Sequence, residues 1–209
     1  MNITNEDNME LMARYPDKYF DLAIVDPPYG IDLANMNMGI GKNKKSSKIQ
    51  NRKWKPKDWD KSVPKTEYWN QLFRVSKNQI IWGGNYFELP PCKNYVIWDK
   101  EIPNGLSFAD CEMAWTSFLN APKIFRHSAY LDKNNKFHPT QKPVALYKWI
   151  LTKYAKEGDK ILDTHLGSGS IAIACHDLEY DLTACELDKE YYDAAIKRIN
   201  NHKKQLKLL

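Results

Sequence analysis

The sequence predicts an α/β fold whose chemistry lies at the carboxyl ends of its sheet strands, on three observations. Leu22-Ala23-Ile24-Val25 is an apolar run of the kind buried strands carry, and it feeds straight into Asp26-Pro27-Pro28-Tyr29-Gly30. Lys160-Ile161-Leu162 is a second strand-like run, ending in Asp163-Thr164-His165-Leu166-Gly167-Ser168-Gly169-Ser170. From there the patterns alternate as a βαβα unit does: a helix from Ser170 to about His176, a strand over 182–185 and a helix from Lys189 to about His202. Open sheets of this kind bind ligands beyond the ends of their strands, so both junctions are candidate sites.

The remaining elements follow in order. Ile3-Thr4 is a short strand, and Met9, Met12 and Ala13 mark a helix that stops before Pro16, because the residue preceding proline disfavours the helical region. From Ile31 to about Lys65 the periodicity disappears and Asn, Gly, Ser and Lys take over, which predicts a long loop. Tyr68, Trp69, Leu72, Phe73 and Val75 give a helix over 66–76 a wide apolar face. Strands are expected at 79–82, 95–98 and 113–116, with Gly83-Gly84 and Pro90-Pro91 as punctuation. The segment 117–137 is expected to be short and irregular. A helix over 143–154 follows, its Pro143 suited to a first turn and its end marked by Gly158.

The length of 209 residues fits a single domain over 1–209, able to bury its own core. No apolar run reaches the ~20 residues of a membrane span, and the N-terminus lacks a secretory pattern, so a cytoplasmic location is expected. Cys92, Cys111, Cys175 and Cys185 form no CxxC pair and meet no zinc-like histidine spacing, which predicts reduced cysteines and no metal. The net charge is +5 and unevenly spread. Lys42, Lys44, Lys45, Lys48, Arg52, Lys53, Lys55 and Lys57 crowd into the 31–65 loop, where Trp54 and Trp59 add aromatic surface; a polyanion is the natural partner of such a stretch.

A strand, a Gly-x-Gly turn and a helix allow the backbone to approach a ligand closely, since glycine has no Cβ. Gly167 and Gly169 meet that need, and Glu186, at the end of the next strand, stands where Rossmann-like folds place an acid against ribose hydroxyls. The third glycine of a dinucleotide fingerprint is missing, and no Gly-Lys-Ser/Thr of a P-loop follows. S-adenosylmethionine, with a ribose but no phosphate, suits the loop. Asp163 would face its methionine part or orient the turn, and His165 would pack alongside.

The Asp26–Gly30 element suits a planar amino group. In an aniline-type amine the lone pair is delocalised into the ring, so methylation must favour a pyramidal nitrogen. A carboxylate and a backbone carbonyl that both accept from the NH2 group do this. Asp26 provides the first and Pro27 the second, with Pro28 stiffening the backbone and Tyr29 offering a flat face to a base taken out of its stack.

These motifs, in this order, resemble the β group of DNA amino-methyltransferases, together with His138-Pro139-Thr140-Gln141-Lys142-Pro143, Ile81-Trp82-Gly83-Gly84-Asn85-Tyr86 and Trp98-Asp99-Lys100. The resemblance implies a circularly permuted, Rossmann-like methyltransferase fold with a seven-stranded mixed sheet flanked by helices. It also implies S-adenosylmethionine as cofactor, with Asp7 toward its adenine amine and Thr140, Gln141 and Lys142 near its methionine end. Asp26, Ser168, Ser170 and Leu187 complete the expected cofactor set. His165-Leu166 departs from the family's FxGxG, and the 117–137 segment is too short for the usual target-recognition domain. DNA reading is then expected from Lys42, Lys44, Lys45, Lys48, Arg52, Lys53, Trp54 and Trp59. The expected activity is methyl transfer to the exocyclic amine of adenine in DNA. The alternatives are the cytosine amine, RNA or a protein amide, and a non-catalytic DNA-binding subunit. A homodimer and a cognate restriction enzyme are further partner expectations.

Overall fold

The computed structural model describes residues 1–32, 57, 59–103, 109–128 and 136–205. Its chain order is β1 (Asn2–Thr4), α1 (Asn8–Ala13), β2 (Phe20–Val25), α2 (Thr66–Val75), β3 (Ser76–Trp82), a short 3-10 turn (Gly84–Tyr86), β4 (Asn94–Asp99), β5 (Cys111–Thr116) and β6 (Lys123–Arg126). Then come α3 (Val144–Tyr154), β7 (Lys160–Asp163), α4 (Ser170–Asp177), β8 (Asp181–Cys185) and α5 (Lys189–Lys203). The strands form one sheet in the order β1-β8-β7-β2-β3-β5-β4-β6, with β5 antiparallel to both neighbours and every other pairing parallel.

Side chains of successive strand residues point to opposite faces, and a parallel sheet covered on both faces needs apolar residues on each. The central strands supply them. Leu22, Ile24, Ile80, Trp82, Ile161, Leu182 and Ala184 join Leu146, Ile150 and Leu151 of α3, Ile171 and Cys175 of α4 and Ala195 and Ile199 of α5 in one core. The alternate positions Ala23, Val25, Ile81, Leu162 and Cys185 pack with Leu11 and Met12 of α1 and with Leu72 of α2. Among the described residues no helix is long and apolar enough to cross a membrane.

Among the described residues the sheet has eight strands, where the resemblance implies seven. The extra one, β6, lies inside the segment expected to be irregular and pairs in parallel with β4, Val96 opposite Lys123 through Asp99 opposite Arg126. It is four residues long, sits at the sheet edge and is largely exposed. No alternating apolar pattern is needed there, so none marks it. Pro143 stands immediately before α3 as its cap residue rather than within its first turn.

Candidate active site

Because β2 and β7 are hydrogen-bonded neighbours, Leu22 opposite Ile161 and Ala23 opposite Leu162, the turns that follow them open side by side. They share one cleft of about 770 Å³, walled by Asp26 and Pro28 from the first turn, Thr164 to Ser168 from the second and Glu186 to Asp188 from the end of β8. Its volume falls within the range of small-molecule sites, roughly 300–1,000 Å³.

The turn after β2 is held by charge. The Tyr29 and Gly30 amides both donate to one carboxylate oxygen of the buried Asp60, at 2.7 and 3.0 Å. Asp26 receives the Tyr29 hydroxyl on Oδ1 at 2.7 Å and the Lys142 ammonium on Oδ2 at 2.5 Å. The same ammonium lies 3.1 Å from Glu112, whose other oxygen is 2.8 Å from Lys100. Burial raises the Asp26 carboxyl above its ordinary range, with Lys142 opposing it. At Glu112 burial acts in the same sense, but the two lysines win and hold it down to about 2.

The turn after β7 is held by backbone contacts and packing. Gly167 and Gly169 take positive φ, +53° and +72°. Glu186 accepts from the Gly167 amide at 2.8 Å and from the Asp188 amide at 2.9 Å, tying the loop to the end of β8. Arg198 donates to the Ser168 carbonyl, and the Ser170 hydroxyl donates to the Lys142 carbonyl at 2.7 Å. Asp163 receives the His165 amide at 3.0 Å; burial pushes its carboxyl up to about 8, a proton-bearing state at neutral pH. His165 contacts Thr164 and Asn8, and burial lowers it to about 3, which keeps the ring neutral.

Eleven of the residues singled out from sequence reach the cleft wall: Asp26, Pro28, Trp59, Thr140, Gln141, Lys142, His165, Gly167, Ser168, Glu186 and Leu187. Five of the others are not among its wall residues. Asp7 caps α1, accepting from the Met9 amide at 2.7 Å, and Glu6, Asn8 and Met9 line the cleft in its place. Asp163 turns back to the loop backbone as described, Gly169 sits against α5, and the side chains of Ser170 and Pro27 are buried. Tyr29 does not present the open face expected of it. Its ring stacks on Tyr86 at 4.9 Å and 13° and lies so close to Gly83 that a Cβ there would fall 2.2 Å from it. The Lys142 ammonium is directed to the Asp26 carboxylate. Trp59 stacks over His138 at 5.5 Å, and His138 meets Tyr191 at 4.3 Å, so this tryptophan belongs to the cleft wall. Lys42, Lys44, Lys45, Lys48, Arg52, Lys53 and Trp54 lie outside the described residues.

Three further residues of this region are not evident from sequence, Asp60, Glu112 and Tyr191, while His138 was marked only as part of its motif. Glu112 alone carried a signal, a carboxylate within an apolar strand run. Tyr191 belongs to the first turn of α5, where Asp188 caps the helix and pairs with Lys57 at 2.6 Å.

The family model described as DNA methylase matches residues 40–197, most of the chain. Type II methyltransferase M.HpaI of Haemophilus parainfluenzae is 39% identical over 77 residues, 37% of this chain and 24% of that protein. Type II methyltransferase M2.DpnII of Streptococcus pneumoniae is 29% identical over 143 residues, 68% of this chain and 48% of that one. The chain thus spans about a quarter and about half of these curated relatives. The crystal structure of M1.HpyAVI in complex with SAM shares the fold, with a TM-score of 0.59 at 22% identity over 94% of this chain and 98% of that one. With its fold and the extent of the family match in agreement, the chain belongs to the DNA methylase family of amino-methyltransferases.

Proposed function

We propose that this chain transfers a methyl group from S-adenosylmethionine to the exocyclic amine of adenine in DNA. The observation that carries the reading is the shared cleft: the Asp26 carboxylate and the glycine turn with Glu186 open onto the same space. That space fits the cofactor in kind. It offers carboxylates (Glu6, Glu186, Asp188) to a cation and to hydroxyls, and aromatic surface (Trp59, Tyr68, Tyr191) to a flat ring. When bound, the cofactor supplies an electrophilic methyl on a sulfonium.

The protein's part is orientation. Glu186 stands at the end of β8 to take ribose hydroxyls, exchanging one of its backbone amides for them. Asp26 accepts one hydrogen of the target amine on Oδ1, where the Tyr29 hydroxyl now donates, and the Pro27 carbonyl accepts the other. Holding both hydrogens out of the ring plane directs the nitrogen lone pair toward the methyl. Asp26 then stands within reach of the proton the methylated nitrogen must lose. Base entry requires Tyr86 to leave the face of Tyr29, and at 45% exposure that side chain has solvent to move into. Base stacking on the freed ring is worth about 1–3 kcal/mol, which offsets part of the unstacking. The lysine-rich segment 42–53 is assigned to the phosphates, each one neutralised contributing about −0.9 to the slope of log K against log salt.

The test is to incubate the purified protein with unmodified DNA and methyl-labelled S-adenosylmethionine, digest, and identify the nucleosides. Labelled methyl-adenosine is the expected product. Methyl-cytidine moves the assignment to the cytosine amine, and no incorporation with the cofactor still bound leaves a DNA-binding subunit of the same fold.

A further inference from the structure

We propose that Glu112 is a positioning residue for methyl transfer: by sharing the Lys142 ammonium with Asp26, it keeps the Asp26 carboxylate both fixed in place and strong as a hydrogen-bond acceptor. The inference rests on the transfer reading above and adds a residue that none of the recognised motifs contains.

The geometry is that of a closed charge chain. Lys142 has 1% of its side chain exposed, so water cannot solvate its ammonium and protein groups must do so. Asp26 lies at 2.5 Å, Glu112 at 3.1 Å and the Tyr29 oxygen at 3.5 Å, with the Trp82 ring 5.1 Å away. Lys100 closes the chain at 2.8 Å from the far oxygen of Glu112. Four charges of alternating sign therefore run Asp26, Lys142, Glu112, Lys100, and sum to zero. Each comes from a different place in the sequence: the turn after β2, the segment before α3, strand β5 and the end of β4.

If Lys142 faced Asp26 alone, the whole ammonium charge would fall on the carboxylate that must accept from the substrate amine. An acceptor already committed to a full cation is a poor one for a neutral N–H donor. With Glu112 taking part of that charge, Oδ2 is anchored while Oδ1 keeps its basicity. Among the described residues, the other titratable groups facing Asp26 are Tyr29, Tyr147 of α3 and Asp163 of β7, and none of these is a cation. Lys142 is therefore the balancing charge at this carboxylate, and Glu112 governs how much of it Asp26 feels.

The test compares wild type, Glu112→Gln and Lys100→Met in two measurements: the pH profile of methyl-transfer kcat, and the titration of the Asp26 carboxyl followed by 13C NMR. Glu112→Gln keeps the shape and a hydrogen-bonding oxygen but removes the charge. Its kcat is expected to fall about tenfold or more, with cofactor Kd and thermal unfolding near wild type, while the Asp26 titration and the acid limb move to lower pH. Lys100→Met leaves Glu112 more negative, so both are expected to move to higher pH. A structural role alone does not produce shifts of opposite sign. Unchanged Asp26 titration in both variants, or activity loss that only follows loss of folded protein, would overturn the proposal. If Glu112→Gln does not fold, the direction of the Lys100→Met shift decides. If wild type transfers no methyl group while the opposite shifts appear, the charge chain stands and the transfer reading fails.

Discussion

The turn after β2 and the turn after β7 are adjacent in space and held in contrasting ways. The first is fixed by side-chain charge: Asp60 beneath its amides, and Lys142 with Glu112 behind its carboxylate. The second is fixed by glycine conformation, backbone hydrogen bonds to Glu186 and packing on α5. The difference follows from the task proposed for each. A turn that must steer a lone pair needs a carboxylate of set strength and direction, whereas a turn that wraps a cofactor needs a shape into which the ligand can approach.

The sharpest way to break this contrast is Asp26→Ala. Transfer is expected to fall by about a thousandfold or more, with S-adenosylmethionine affinity by calorimetry within a fewfold of wild type. Equal loss of both would mean that the two turns do not divide the work. Asp60→Ala comes next, since it strips the acceptor from two amides at a partly buried turn. The expected cost is about 1–3 kcal/mol in chemical denaturation, with transfer reduced more than cofactor binding.

Gly169→Ala probes the other turn. At φ +72° a Cβ is disfavoured, and it would stand 3.1 Å from Ile199 Cδ1, so stability is expected to drop by about 1–2 kcal/mol, several degrees in Tm, with cofactor affinity falling alongside. The last prediction is read as a slope, not as a loss at one pH. Asp163 titrates at about 8 in the fold against 3.8 ordinarily, so the folded state binds the extra proton between those values. Its contribution is complete below pH 3.8 and lost as pH rises through about 8. Asp163→Asn should therefore flatten the decline in stability from pH 4 to 8, measured by urea unfolding; an unchanged slope would mean the buried acid is already ionised.

Much of the sheet was legible because strand burial writes itself locally. Leu22 to Val25, Ile80 to Trp82 and Ile161-Leu162 are apolar on consecutive positions since both faces are covered, and each marks its own strand. The glycine turn and the Asp-Pro-Pro-Tyr element were legible for a similar reason, as their backbone requirements restrict residue type at fixed spacing. What escaped is long-range. Nothing near Asp60 says that it will lie under Tyr29, thirty-one positions earlier, and nothing near Tyr86 says that it will cover that ring. Strand β6 escaped because an exposed edge strand asks little of its side chains, and the capping role of Asp7 escaped because a helix cap and a ligand contact both call for an aspartate at the same point.

The central pairing of β2 with β7 joins residues about 140 positions apart. During synthesis the proposed methylating carboxylate therefore leaves the ribosome long before the strand that completes its pocket exists. Until β7 and β8 arrive, one flank of β2 is an open edge and there is nowhere for a cofactor to dock. Such non-local closure is slow, so ligand present at that stage would be expected to act as a folding aid, capturing the last strands as they close.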